Sequence, residues 1–168
     1  MEILNSTMND IDRIFDLYDD AVAFQKTRFN KHWQSFDQEM VATEIKEGRQ
    51  WKIVEDGATA CIFASAFSDP FIWGEKNTDP AIYLHRIVTN PLFRGKNYVL
   101  TIIEWAKVYG KKMNKDYIRI DTWGDNQYLI DYYVKCGFTF LGLMTPEDAA
   151  TLPSHYSGIS LSLFEIKI

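Results

Sequence analysis

The sequence is short of several things at once. Among its 168 residues are only 2 cysteines, 3 histidines, 5 prolines and 9 glycines. Cys61 and Cys136 are far apart and lack the paired spacing of a zinc site, so neither a disulfide framework nor a structural metal module is expected. They read as two buried thiols of a reducing compartment. His32 and His155 show no spacing that implies metal ligation or a triad, and no metal is expected. Cations are in the minority, with Lys+Arg 18 against Asp+Glu 23 and a net charge of -5. Neutralising nucleic-acid phosphates takes clustered Lys and Arg, so sequence-independent nucleic-acid binding is excluded, and the balance suits an amine-bearing partner. No long apolar run exists. Ala58 to Phe67 is about half of what a membrane helix needs and is broken by Thr59 and Ser65. The opening Met1-Glu2-Ile3-Leu4-Asn5 has neither the basic region nor the apolar stretch of a signal peptide. The expectation is a soluble, cytoplasmic protein with no membrane partner.

What the chain has in quantity is aromatic side chains, 15% of the whole, with 5 Trp, 9 Tyr and 11 Phe. Its length matches one domain, residues 1–168. Glu2 to Ser6 reads as an opening strand. Asn9 or Asp10 caps a helix with Ile11, Ile14, Phe15, Tyr18 and Val22 at a 3.6-residue period. After the aromatic and basic stretch Phe24 to Phe36, Asp37 caps a second helix running to Gly48. Trp51–Val54 and Thr59–Phe67 form a hairpin about Asp56-Gly57. Ser68–Pro80, with two Asp-Pro steps, reads as a loop. Then come a strand (Ala81–Thr89), a long helix (Tyr98–Met113), a strand (Tyr117–Trp123) and a helix from Asn126 to Cys136 ended by Gly137. In the Tyr117–Trp123 strand, alternation puts Ile118 and Ile120 on one face and Arg119 and Asp121 on the other, a half-buried pattern. Two last strands, Phe138–Leu143 and Ile159–Ile168, flank a segment with Pro146 and Pro153, Thr145–Ser157. Strand–helix–strand in the middle implies a right-handed crossover with locally parallel pairing, and the hairpins imply antiparallel pairs. The fold class is α+β, a sandwich on a mixed sheet.

Two stretches carry the chemistry. In Ile82-Tyr83-Leu84-His85-Arg86-Ile87-Val88-Thr89-Asn90-Pro91-Leu92-Phe93-Arg94-Gly95-Lys96-Asn97-Tyr98, a strand feeds an Arg-Gly-Lys turn that opens a long helix. Unpaired N–H groups at a helix start, with Arg94 and Lys96 beside them, suit a pyrophosphate. The turn is equally readable as a plain connection with two solvated cations. The second stretch is Asp121-Thr122-Trp123-Gly124-Asp125-Asn126 with Tyr133, Lys135, Gly137 and Phe138 behind it. Together the two resemble the GNAT superfamily of N-acetyltransferases. The first is similar to its Arg/Gln-x-x-Gly-x-Gly/Ala coenzyme A pyrophosphate motif. The second is similar to its Asn…Tyr-x-Lys-x-Gly-Phe motif.

The resemblance implies a three-layer α/β/α sandwich on a mixed, mostly antiparallel sheet, in which a central parallel pair, Tyr83–Thr89 and Tyr117–Trp123, splays apart to admit the acyl–pantetheine arm. It implies acetyl-coenzyme A as co-substrate and a small-molecule or peptide amine as acceptor, attacked directly in a ternary complex. Ile87, Val88 and Thr89 would bind the arm through their backbone, with the Val88 N–H as oxyanion donor. Arg94, Gly95, Lys96, Asn97, Tyr98 and Val99 would hold the pyrophosphate. Asn97 and Val99 stand where the family has small residues. Asn tolerates positive φ, whereas β-branched Val99 predicts weaker coenzyme binding or a shifted phosphate. A non-catalytic acyl-coenzyme A sensor or interaction module of the same fold is therefore the alternative.

Tyr133 would protonate the departing sulfur, and His85, working through a water, would deprotonate the amine with Asp121 orienting. Asn126 would hydrogen-bond the arm. Each has a plain structural counterpart: a core tyrosine, a strand histidine, a satisfied carboxylate, an N-cap. Phe29, Trp33, Phe36, Phe71 and Trp73 would wall the amine site, or else close a small core or a homodimer interface.

Overall fold

The structure, a computed structural model, describes residues 1–29, 32–124, 126–144 and 160–168. The elements follow the expected order: β1 (Glu2–Asn5), α1 (Ile11–Arg28), α2 (Gln38–Lys46), β2 (Gln50–Glu55), β3 (Ala58–Ala66), α3 (Pro70–Trp73), β4 (Ala81–Thr89), α4 (Tyr98–Lys112), β5 (Tyr117–Trp123), α5 (Gln127–Lys135), β6 (Thr139–Met144) and β7 (Leu161–Lys167). Local chemistry sets most boundaries. Asp37 Oδ1 accepts from the Glu39 N–H at the start of α2, and Asn126 Oδ1 accepts from the Leu129 N–H at the start of α5. Asp56 and Gly57 both take positive φ, the geometry of the tight turn whose twist suits a hairpin, and join β2 to β3. Gly137, at φ +100, ends α5.

Asp10 is the N-cap residue of α1, as expected, although its side chain turns backwards: a single 3-10 turn, Met8–Asp10, precedes the helix, and the Asp10 carboxylate accepts from the Thr7 N–H and hydroxyl. Two expectations need correction. Ser68–Pro80 is not an open loop. Asp69-Pro70 starts α3, because proline at a first helical position sacrifices no hydrogen bond, and a 3-10 segment, Gly74–Thr78, follows. β5 is not half-buried either. Arg119 is fully buried, its guanidinium neutralised by Asp79 and Glu165, donating to the Lys76 carbonyl and stacked near Trp73 and Tyr117. The Thr145–Ser157 segment, with His155, lies outside the described residues.

The hydrogen-bonded strand order is β1-β2-β3-β4-β5-β7-β6. The β1/β2, β2/β3, β5/β7 and β6/β7 pairs are antiparallel, and β4/β5 is parallel. The chain divides into two compact units, one of Met1–Ser65 with Arg86–Tyr98 and one of Ala66–His85 with Val99–Ile168. The first has a core of Ile14, Leu17, Tyr18, Val41, Ile45, Ile62 and Val88. In the second, Ile72, Trp73, Ala81, Tyr83 and Leu161 pack together. Among the described residues, no helix is long and apolar enough to cross a membrane.

Candidate active site

The parallel ladder between β4 and β5 runs from Ala81↔Tyr117 to Leu84↔Ile120 and stops there, although β4 continues to Thr89 and β5 to Trp123. The residues that end the ladder are followed by His85 on one strand and Asp121 on the other. Directly after His85, Arg86 adopts φ +49 inside a strand. For a non-glycine residue this left-handed conformation costs about 1–2 kcal/mol. Buried contacts offset it. Arg86 Nη2 donates to Glu44 of α2, Nε donates to Tyr18 Oη of α1 at 3.2 Å, and the guanidinium lies 5.5 Å from the Phe36 ring centroid. Sequence reading missed this clamp, because nothing local to Arg86 signals positive φ. Beyond it, Val88 is buried in the first unit's core and Thr89 Oγ1 donates weakly to Cys61 Sγ. Burial pushes the Cys61 thiol up to about 12, which makes it unreactive as a nucleophile.

In the second unit the structure brings His85 and Asp121 together with a residue that the sequence did not single out, Asp69. His85 Nε2 is 3.6 Å from Asp69 Oδ2 and Nδ1 is 3.8 Å from Asp121 Oδ1. Asp69 arrives there because its Asp-Pro step begins α3; the same dipeptide, read as a loop signal, concealed it. Desolvation raises Asp69 to about 6. Desolvation, reinforced by the negative charge of Asp69, raises Asp121 to about 7. One donor atom from each residue lies within 4.8 Å of the others, a spacing at which a cation could be held. The carboxylates face different imidazole nitrogens, so the same cluster also places His85 to pass a proton to either of them.

The raised carboxyl pKa values carry a stability consequence. Asp121 binds its proton in the folded state up to about 7 but releases it near 3.8 when unfolded. Folded protein therefore holds the extra proton between those values, and stability falls as pH rises through that window. Asp121→Asn is expected to stabilise the fold at pH 8, by up to about 4 kcal/mol, and so to raise the melting temperature there, and to change it little at pH 4. Melting curves at the two pH values check this.

Tyr133, on α5, packs its ring 5.3 Å from Phe164 and 5.9 Å from Phe138. Phe164 opposes Ile120 in the β5/β7 ladder, while its neighbour Leu163 opposes Asp121. Successive side chains of a strand point to opposite faces. Tyr133 therefore sits on the face bearing Ile120 and Phe164, and Asp121 on the other.

The turn that leads into α4 leaves Arg94, Gly95, Lys96 and Asn97 exposed and buries Tyr98 and Val99. Gly95 takes φ +86 and Asn97 φ +52. The two non-small residues thus behave differently from their bulk: Asn97 adopts the conformation glycine would, and Val99 turns its side chain inward. The first-turn N–H groups of α4 have no intrahelical acceptor. Arg94 stacks on Phe24 at 4.6 Å. Lys96 Nζ and Tyr98 Oη both donate to Glu55, and these hydrogen bonds hold its carboxyl below the usual range. Asn126 spends Oδ1 on its cap and leaves its amide donors for other partners. Of the aromatic residues expected to wall a substrate site, Trp33 packs on Phe36 against the first unit's core and Phe29 is exposed there. Phe71 and Trp73 belong to the second unit, the first exposed and the second buried.

Comparison with known proteins adds a family and a fold. The pattern of the Acetyltransferase (GNAT) family matches residues 12–138. An uncharacterized N-acetyltransferase of Bacillus subtilis (strain 168), YesJ, is 26% identical over 106 residues, which are 61% of this chain and 59% of that protein's length. A GNAT-family acetyltransferase from Listeria monocytogenes 4b F2365 has the same fold, with a TM-score of 0.78 at 24% identity over 99% of this chain and 94% of its own. So does yncA of Salmonella typhimurium, solved with its cofactor acetyl-CoA, at a TM-score of 0.69 and 14% identity over 99% and 93%.

Proposed function

Because the chain belongs to the acetyltransferase (GNAT) family, we propose that it transfers an acetyl group from acetyl-coenzyme A to a primary amine by direct attack in a ternary complex. The observation that carries this reading is the end of the β4/β5 ladder at Leu84 and Ile120, immediately before His85 and Asp121. Past that point Ile87, Val88 and Thr89 present backbone groups to the pantetheine amides, and the Val88 N–H polarises the thioester carbonyl. The turn from Arg94 to Val99 cradles the pyrophosphate on the N–H groups opening α4. An ammonium entering at Asp69 and Asp121 loses a proton to His85. The freed nitrogen lone pair forms the C–N bond, the C–S bond breaks, and Tyr133 gives its phenolic proton to the leaving sulfur; the second N–H proton, shed as the nitrogen becomes an amide, returns through solvent to restore the phenol.

Asn97 at positive φ and the buried Val99 side chain support coenzyme binding at this turn, a property that the enzyme and the acyl-coenzyme A sensor share. In a coupled assay, thiol release is expected only with acetyl-coenzyme A and an amine together. Acetyl-coenzyme A alone is expected to raise the melting temperature, with a gain of about 2.7 kcal/mol at a hundredfold excess over its dissociation constant. Stabilisation by the coenzyme without turnover of any amine would select the non-catalytic module instead.

A further inference from the structure

The second unit contains a cavity of about 360 Å³ whose lining includes Phe71, Ile72, Trp73, Leu143, Met144 and Leu163. No described lining residue carries a charge. Phe71 and Leu143 leave large apolar surfaces exposed, while Ile72 and Trp73 are buried. The cavity adjoins the acidic pair by covalent and ladder geometry: its wall begins at Pro70, the residue after Asp69, and Leu163 stands directly across from Asp121. Side chains so opposed have Cβ atoms about 4.5–5.5 Å apart on one face. Two further atoms are short of partners. Asp69 Oδ2 is buried without a hydrogen bond among the described residues, and so is Nε1 of Trp73, whose side chain is only 4% exposed. A buried indole N–H ordinarily finds an acceptor.

Resting on the function proposed above, we infer that the acceptor is a primary amine with a single positive charge, carried on an uncharged apolar body such as an aromatic or branched alkyl group. The ammonium lies at Asp69 and Asp121, within reach of His85, and the body fills the cavity. The described lining residues offer no counter-charge, so a second ammonium, as in a polyamine, or a carboxylate, as in a free amino acid, would find no partner among them. A neutral oxygen on the body, a phenol or a carbonyl, would give the Trp73 N–H its acceptor.

The test is a comparison of kcat/KM, by thiol release at saturating acetyl-coenzyme A, for 2-phenylethylamine, tyramine, putrescine, spermidine and phenylalanine. The two arylalkylamines are expected to exceed the rest by about a hundredfold, the range over which a pocket discriminates by one misplaced group. Leu143→Glu, at an exposed position on β6, adds the missing counter-charge and is expected to raise putrescine relative to tyramine by about tenfold. A preference for putrescine or spermidine in the unaltered protein, or a ratio unmoved by Leu143→Glu, would overturn the inference while leaving the acetyltransferase reading intact. If no amine is turned over, that reading fails, and calorimetric titration of tyramine decides the pocket separately: binding that Leu143→Glu weakens upholds the pocket assignment, and no binding refutes it.

Discussion

Replacing Tyr133 by phenylalanine is expected to lower kcat by about 10²–10⁴-fold, the usual worth of a positioned general acid. The substitution deletes one hydroxyl and keeps the ring that packs on Phe138 and Phe164, so coenzyme affinity should change little and the loss of stability should not exceed the roughly 0.5–1.5 kcal/mol of one hydrogen bond. The effect belongs to leaving-group protonation. It should therefore shrink when the sulfur needs no proton, as with an acyl donor whose thiol is much more acidic. A phenol suits this role because it remains protonated at neutral pH, with an ordinary pKa of about 10, and can still release its proton to a thiolate. Full turnover in Tyr133→Phe would place the acid elsewhere and reduce Tyr133 to a packing residue on α5. Losing activity and melting temperature together would also argue for packing.

The second large effect concerns the first unit. Glu44→Ala is expected to destabilise the protein by about 3–5 kcal/mol, because it leaves the Arg86 guanidinium buried without its charge partner. Glu44 is itself buried and reaches Arg86 and Arg49, so the loss is not screened by water. Replacing Arg86 separates the clamp from the conformation it imposes. Arg86→Gly removes the charge but accepts φ +49 without strain, whereas Arg86→Ala removes the charge and retains the strain. If the left-handed residue serves to aim Ile87 and Val88, the glycine variant should keep more coenzyme affinity than the alanine variant, although neither has the clamp. Denaturant unfolding and coenzyme titration of the three variants measure the two quantities independently. Equal affinity in Arg86→Gly and Arg86→Ala would mean that this backbone turn does not position the donor groups.

Much of this protein follows from short-range information. The hairpin at Asp56-Gly57, the caps at Asp37 and Asn126 and the stop at Gly137 each depend on residues within a few positions of one another, so their chemistry is visible in the chain itself. Asn97 belongs with them, since tolerance of positive φ is a property of that one side chain. His85 was singled out differently, by the resemblance of its strand to the GNAT family, and Asp121 by its place on the neighbouring parallel strand. The tertiary structure alone decided the rest. β7 inserts between β5 and β6, and no local signal encodes that pairing, which is set by which strand's apolar face completes the sheet. Arg119 looked solvent-facing by alternation until Asp79 and Glu165, distant in sequence, supplied the charges that let it be buried. Asp69 became part of the proton-holding cluster, and Arg86 became a clamped left-handed residue, for the same reason. Burial and charge pairing arise from neighbours brought together by folding, whereas caps and turns arise from neighbours along the chain.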